Sequence, residues 1–353
     1  MQVFPGVDVS APSVLPVGIA DGQNPLDVEP VCNGAARIAL SSEALTIRIS
    51  HDKEYCAVGL NTGHLQADKV LPMDLALPEE TLPCTDVTFV PKQADKRKII
   101  AAYASGFVRI WVYNNAAKFS LWKSWREPEH HNVERTVGEV KFNQILCVAV
   151  STDGKRFVTG GSDTVIRAYD LHSSVNGRLL IPRSCVRSHV RVRQLGWQHA
   201  GTNVAGADGL CIDPVRNFVL TGSYKHDKTL SQVWEACVPG QQENRKSFGS
   251  LDKPLSIIAQ DATSPSIQIY VSRISADNQC IIFGGTNGNI VKLLNATTLR
   301  PLATITNLAT GVYSADSCLD PLDKKRLIIG FTNGPKVHLI LVDPRQPNFS
   351  DSH

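Results

Sequence analysis

The stretch VAVSTDGKRFVTGGSDTVIRAYDL, from Val148 to Leu171, decides the fold. Apolar residues run through Val148, Ala149 and Val150, stop at Asp153-Gly154, resume over Phe157 and Val158, and stop again at Gly160-Gly161 before a third run ending in Tyr169-Asp170. Short β-rich runs cut by residues that tolerate chain reversal read as strand, turn, strand, turn, strand. From about residue 35 onward hardly any stretch sustains a 3.6-residue apolar period, so the chain reads as all-β.

The pattern recurs, and recurrence at a fixed period is the trace left by units that cannot bury a core alone. Sibling units start at Ile47, Val87, Gly209, Val271 and Ser317. Their equivalent second-strand positions are Gly59, Ala102, Gly160, Gly222, Gly284 and Gly330, with spacings of 43, 58, 62, 62 and 46 residues. The shortest spacings suit one four-stranded unit, and the longer ones leave room for extended outer hairpins. A small residue ending each second strand permits close approach of a neighbour.

Units of this kind resemble the WD40 repeat family over residues 35–345. The family's terminal Trp-Asp survives as Tyr169-Asp170 and Trp234-Glu235, and more loosely as Trp111-Val112 and Val342-Asp343. Its Gly-His dipeptide is displaced: Gly63-His64 falls between a second and a third strand. Asp163 and Asp227 occupy plausible positions for the Asp of the family's hydrogen-bonded tetrad, which alignment completes in no unit, so packing is expected to substitute for that network. The resemblance implies a closed β-propeller, with seven blades favoured although six repeats are visible. Ala36 to Leu40 is expected to supply an outer strand against the last blade, which would remove exposed sheet edges. Residues 1–34, with Pro5, Pro12, Pro16, Pro25 and Pro30, read as a Pro-rich arm, and 346–353 as a tail.

Composition narrows the function. Of 353 residues 42% are hydrophobic and 20% charged, with a net charge of +3, which gives no general footprint for nucleic acid. No run reaches the 18 or so apolar residues of a membrane span, and the N-terminus lacks a basic segment followed by an apolar one, so a cytoplasmic protein without membrane insertion is expected. Nine scattered cysteines without a CxxC pair argue against a disulfide framework and a zinc site. There is no GxSxG, GxxxxGK[ST] or HExxH, and Gly284 to Gly288 is a turn without the following helix an anion site needs. Glu129, His130, His131 and Glu134 read as a solvated loop, because adjacent histidines on an extended segment diverge. The expectation is no enzyme, no cofactor, no metal and no small-molecule substrate.

Partner-binding residues are sought in three places. Leu171 to Ala207 holds no acid but carries Arg178, Arg183, Arg187, Arg191 and Arg193, which suits an acidic protein surface or tail. Trp122 and Trp125 in FSLWKSWRE cannot both point inward from a strand, so at least one should be near the surface, and both are candidate partner anchors. Lys225 and His226, with Asp227 and Lys228, replace a short turn of the kind that lines the top face of such rings. Lys96-Arg97-Lys98 and Lys324-Lys325-Arg326 read as solubilising edge charges. The leading function is a non-catalytic scaffold for other proteins, with the cytoskeleton or cilium as its setting. One alternative is a cullin-4 substrate receptor, for which Val342-Asp343-Pro344-Arg345 keeps the Asp and Arg but loses the aromatic. Another is a propeller enzyme with its site in the channel.

Overall fold

Three of the first turns are built alike. Ser50, Ser151 and Ser275 each donate their hydroxyl to the carboxylate two residues on, at 2.6 Å to Asp52, 2.6 Å to Asp153 and 2.5 Å to Asp277. The same oxygens accept the backbone N–H five residues on, from Tyr55, Arg156 and Cys280. The residue after each Asp adopts left-handed backbone: Lys53 at φ 64°, Gly154 at 66° and Asn278 at 59°. Only Gly154 takes that conformation without steric cost, which is why this turn announces itself in the sequence and the other two do not. Asp213 and Asp320 cap two further turns by accepting the N–H groups of Val215 and Arg216, and of Leu322.

The computed structural model describes residues 32–68, 75, 77, 80–91, 97–114, 118–127, 142–151, 153–162, 166–171, 204, 206–213, 215–216, 218–224, 229–235, 256–259 and 267–343. They hold 22 strands, a short 3₁₀ turn at Ala207–Gly209 and no α-helix. β1 (Cys32–Ala39) is followed by the three-stranded sheet of β2 (Ala44–Ile49), β3 (Cys56–Leu60) and β4 (Leu65–Asp68). β5 (Cys84–Phe89), β6 (Lys98–Tyr103), β7 (Phe107–Asn114) and β8 (Lys118–Arg126) form the second sheet; β9 (Ile145–Val150), β10 (Arg156–Gly161) and β11 (Ile166–Asp170) form the third. β12 (Leu210–Asp213), β13 (Phe218–Gly222), β14 (Thr229–Glu235) and β15 (Ser256–Ala259) make the fourth. β16 (Gln268–Ile274), β17 (Cys280–Thr286), β18 (Val291–Asn295) and β19 (Pro301–Ile305) make the fifth. β20 (Ala315–Leu319), β21 (Leu327–Thr332) and β22 (Lys336–Val342) make the sixth, to which β1 adds as an outer strand. The ladders are antiparallel, including Ala36↔Leu339 between β1 and β22. β1 thus plays the part expected of residues 36–40, starting earlier, at Cys32.

The strands fall into two compact units, β2 to β11 in one and β1 with β12 to β22 in the other. Within each, apolar side chains fill the space between successive sheets. Tyr55, Leu65, Val87, Ile99 and Trp111 pack the first sheet on the second, and Ile100, Val108, Val148 and Phe157 pack the second on the third. In the other unit Leu220, Val233, Ile269 and Phe283 join the fourth and fifth sheets, and Val271, Leu293, Ile329 and Phe331 join the fifth and sixth. β3, β6 and β21 are buried along their whole length, as central strands covered on both faces must be. All six predicted small residues lie in second strands. The reason for their size is steric: a Cβ on Gly222 would sit 2.6 Å from Ile269 Cγ2 of the next sheet, and one on Gly284 2.7 Å from Val312 Cγ1.

The expectation that packing alone replaces the tetrad is corrected by two buried carboxylates. Glu127, just past β8, accepts hydrogen bonds from Thr159 Oγ1 on β10 at 2.7 Å, from the Tyr169 hydroxyl on β11 at 2.6 Å and from Asn143 Nδ2 at 3.0 Å, and pairs with Arg167 at 3.4 Å. Burial, then Glu127 itself, drives the Tyr169 phenol far above its ordinary pKa. One sheet earlier Glu80 accepts from Arg109 Nη1 at 2.5 Å and Ser105 Oγ at 2.8 Å. Arg109-Ile110-Trp111 and Arg167-Ala168-Tyr169 stand at matching places in the third strands, each guanidinium meeting a glutamate delivered by the preceding connection. A third carboxylate, Asp86 on β5, accepts from Arg48 Nη2 at 3.0 Å, Thr46 Oγ1 at 3.3 Å, Val87 N at 2.9 Å and Val148 N at 3.0 Å, so three sheets share it.

Candidate interaction surface

β8 is the terminal strand of its sheet among the described residues, paired with β7 on one side. The ladder runs from Phe107↔Arg126 to Ile110↔Lys123 and then slips, so that Trp111 faces Leu121. Trp122 is the extra residue of a β-bulge. Without it Phe119 and Trp125, six residues apart, would share one face of the strand. With it Phe119 packs edge-on against Tyr55 and Tyr113, at centroid distances of 5.9 and 5.2 Å, while Trp125 reaches Phe157 and Tyr169 at 6.0 and 5.3 Å. One inserted residue lets a single strand serve two cores.

That arrangement decides the two tryptophans. Trp125 is half-buried against the third sheet, whereas Trp122 is 42% exposed and its neighbour Leu121 39%. The indole of Trp122 lies against two ammonium groups, Lys123 Nζ at 4.2 Å and Lys98 Nζ at 4.9 Å from the ring centroid. Both lysines are buried. Lys123 donates to the Leu171 carbonyl at 3.0 Å; burial lowers its pKa, and Asp170 acts the other way. Arg126, at the end of the strand, stacks on Phe142 at 3.4 Å and donates Nε to the Ser105 carbonyl at 2.6 Å.

The sequence reading took Lys96-Arg97-Lys98 as a short edge run and did not join it to the cations that follow. From Lys96 to Arg126 the chain carries seven Lys or Arg residues and no acid. Acids from other segments answer this run: Arg97 pairs with Asp52 and with Glu54 at 2.5 Å, and Arg109 with Glu80 at 2.5 Å. The reading as solubilising edge charge is therefore corrected for Arg97 and Lys98, Lys96 lying outside the described residues: Arg97 is stacked over Tyr55 at 4.4 Å inside an ion-pair cluster, and Lys98 starts β6 beneath Trp122. Burial of their stems, not solvation, is what the local packing requires of them.

Other expected positions are placed as follows. Arg178, Arg183, Arg187, Arg191 and Arg193 lie outside the described residues, as do Lys225, His226 and Asp227, Asp163, and the Glu129 to Glu134 segment. Gly284 to Gly288 spans the end of β17 and its turn, with Asn287 at φ 68°, and β18 follows at Val291. Cys56, Cys84, Cys147, Cys211, Cys280 and Cys318 are free thiols, and among the described residues no three metal-ligating side chains converge. No helix of the described residues is long and apolar enough to cross a membrane.

Residues 135–170 match the WD40 family, WD domain, G-beta repeat. The match supports the resemblance read from the repeats. It coincides with the third sheet, β9 to β11, whose turn at Asp153-Gly154 and Tyr169-Asp170 ending are the least altered of the six units. The WD-repeat match stops short of Trp122 and Trp125, which lie on the preceding sheet. No curated protein matches the chain.

Proposed function

We propose that this protein is a non-catalytic scaffold that holds other proteins together on WD repeats. The observation that carries this reading is the WD-repeat match at residues 135–170 within six successive antiparallel sheets built to one pattern. Domains with WD repeats generally serve as interaction platforms, and fold analogy of this kind is the warrant. In this reading the sheets close into a single propeller, for which the sequence favours seven blades. The partners present acidic surfaces or tails to the Arg178, Arg183, Arg187, Arg191 and Arg193 interval and to the Lys225-His226 loop, and the setting is the cytoplasm, with the cytoskeleton the first place to look. What supports this part is the acid-free sequence between Leu171 and Ala207.

Affinity purification with mass spectrometry tests the proposal. The expected result is a reproducible partner set, rich in acidic proteins and depleted when Arg187, Arg191 and Arg193 are replaced by Glu. A set no different from that of an unrelated bait would overturn the scaffold reading. Equal recovery by the triple variant would remove the arginine interval from it, and a cullin-4 adaptor among the dominant partners would replace it with the ligase-receptor reading.

A further inference from the structure

We infer that residues 1–31 dock, within their own chain, on the turn-bearing end of the fourth, fifth and sixth sheets, with apolar side chains over Val215, Leu299 and Leu322 and carboxylates against Arg300, Lys324 and Lys325. The inference goes beyond the scaffold reading and does not depend on it.

The surface is continuous. Arg216 in the β12–β13 turn donates Nη1 to the Asn278 carbonyl of the β16–β17 turn at 3.1 Å, and Nη2 to Thr297 Oγ1 of the β18–β19 turn at 3.0 Å. The Ala276 amide donates to Ser317 Oγ, near the end of β20, at 3.0 Å. Three aliphatic side chains project from these joined turns and the β20–β21 turn: Val215 at 68% exposure, Leu322 at 56% and Leu299 at 37%. Leu299 is left-handed, at φ 58°, where glycine or asparagine would serve the turn with less strain, so turn geometry does not account for a leucine there.

The charge is one-sided. Arg300, Lys324 and Lys325 are exposed, and no ion pair joins any of them to another described residue. The acids of the same turns are already engaged: Asp213 with Arg216, Asp277 with the Ser275 hydroxyl and the Gln279 amide, and Asp320 and Asp323 with Arg326. An occupant that brings both apolar groups and its own carboxylates therefore meets attraction across this end.

The chain itself holds such a segment. Residues 1–31 carry Asp8, Asp21, Asp27 and Glu29 and no Lys or Arg, among apolar residues that include Phe4, Leu15, Ile19 and Leu26. Strand register puts their point of attachment at the right end. Cys32, the first residue of β1, pairs with Val342, Val342 with Leu327, and Leu327 with Leu319, so the segment joins the fold within roughly 15 Å of the β20–β21 turn. Thirty-one extended residues reach up to about 100 Å, ample to cross three sheets. Residues 344–353 leave from the same end but suit it less: Arg345 offsets Asp351, and Phe349 is their one large apolar residue. A tethered segment meets its site at an effective concentration of roughly millimolar, so modest contacts suffice.

Two experiments on the full-length chain test this. In the first, p-benzoylphenylalanine replaces Leu322, and a mixture of isotope-labelled and unlabelled protein is irradiated and digested. Crosslinks to residues 1–31 carrying the same label are expected. Links that pair the two labels would assign the surface to a second copy, and links confined to other segments would assign it elsewhere in the chain; either overturns the inference. In the second, a fluorescein-labelled peptide of residues 1–31 is titrated by anisotropy with wild type and with the variant Asp8→Asn, Asp21→Asn, Asp27→Asn, Glu29→Gln. The variant, its own segment neutralised, is expected to bind the peptide about tenfold or more tightly than wild type, and more weakly as salt rises. Adding Arg300→Glu, Lys324→Glu and Lys325→Glu to the variant is expected to cost about tenfold or more in affinity, with circular dichroism confirming that each protein folds. No binding by the neutralised variant, equal binding by wild type, or indifference to the charge reversal would each sink the inference. The scaffold reading is untouched by these outcomes and falls only with the purification experiment.

Discussion

Replacing Glu127 by Gln should cost this protein much of the stability of the unit formed by β2 to β11. The two carboxylate oxygens are fully used: Oε1 receives Thr159 and Tyr169, and Oε2 receives Asn143 and, at longer range, Arg167. A glutamine has one accepting oxygen and no charge, so its NH₂ either opposes the Asn143 and Arg167 donors or turns to Thr159 and Tyr169, whose hydroxyls must then accept instead of donate. In either orientation the network loses its charged acceptor, for which each hydrogen bond contributes about 1.5 to 3 kcal/mol, and Arg167 loses an ion pair in a buried setting. The expected loss is about 3 to 5 kcal/mol, equivalent to roughly 6 to 20 °C in Tm for a unit of this size. Tyr169→Phe removes only the phenolic donor and should cost about 1.5 to 3 kcal/mol. Combined, the two substitutions should cost less than their sum, because both act on one oxygen. Urea denaturation followed by tryptophan emission and by circular dichroism measures all three. If Glu127→Gln lies within about 0.5 kcal/mol of wild type, the ordinary range for a surface change, the network is not holding the sheets and the reasoning fails.

Three further outcomes follow from the packing. Gly222→Ala should destabilise by about 1 to 3 kcal/mol because its Cβ would press on Ile269, while Gly206→Ala, with nothing within 4 Å, should be nearly neutral; equal effects would show that close approach is not the reason for Gly222. His338, stacked on Phe331, has its pKa lowered to about 4 by burial and by Arg37 and Lys336. The unfolded chain binds a proton there first as pH falls, so this group's contribution is complete above about pH 6.5 and declines toward pH 4, by an amount on the order of 3 kcal/mol. His338→Phe should flatten that part of the stability profile, and an unchanged slope between pH 6.5 and 4 would assign it to other groups. Among the described thiols, brief alkylation of native protein at pH 8 should reach half-buried Cys211 well before Cys84 or Cys280, whose pKa values burial raises, that of Cys280 to about 12. Mass spectrometry showing equal labelling would count against their burial.

Strand content and unit boundaries were legible because they depend on alternation and on turn residues, both local properties. The six second strands, the outer strand near residue 36 and the exposure of one tryptophan of the pair all follow from such signals. The Ser-x-Asp turns at Ser50 and Ser275 were not seen as repeats of the Ser151 turn, since Lys53 and Asn278 disguise a left-handed position that glycine would have marked. The glutamate nodes were invisible for another reason. Glu80 and Glu127 lie in connections, and only the folded chain shows that they meet Arg109 and Arg167 on the strand pattern. The clue available was chemical: two arginines at equivalent inward positions of third strands demand a counter-charge. The β8 bulge likewise left no local mark, because FSLWKSWRE reads as continuous strand until the slip in register separates Phe119 from Trp125.

The carboxylate of Asp86 bears on how such a chain can evolve. Stacked repeats that touch only their neighbours gain or lose copies with little disturbance, since each junction resembles the next. Here one side chain takes hydrogen bonds from β2, β5 and β9 at once. Excising the first repeat removes Arg48 and Thr46 from a buried charge, and excising the third removes the Val148 amide. None of these three repeats can be exchanged for a sibling without disturbing that carboxylate. Among these three sheets, gain or loss of a copy would strand a buried charge, whereas substitution within the existing sheets would not.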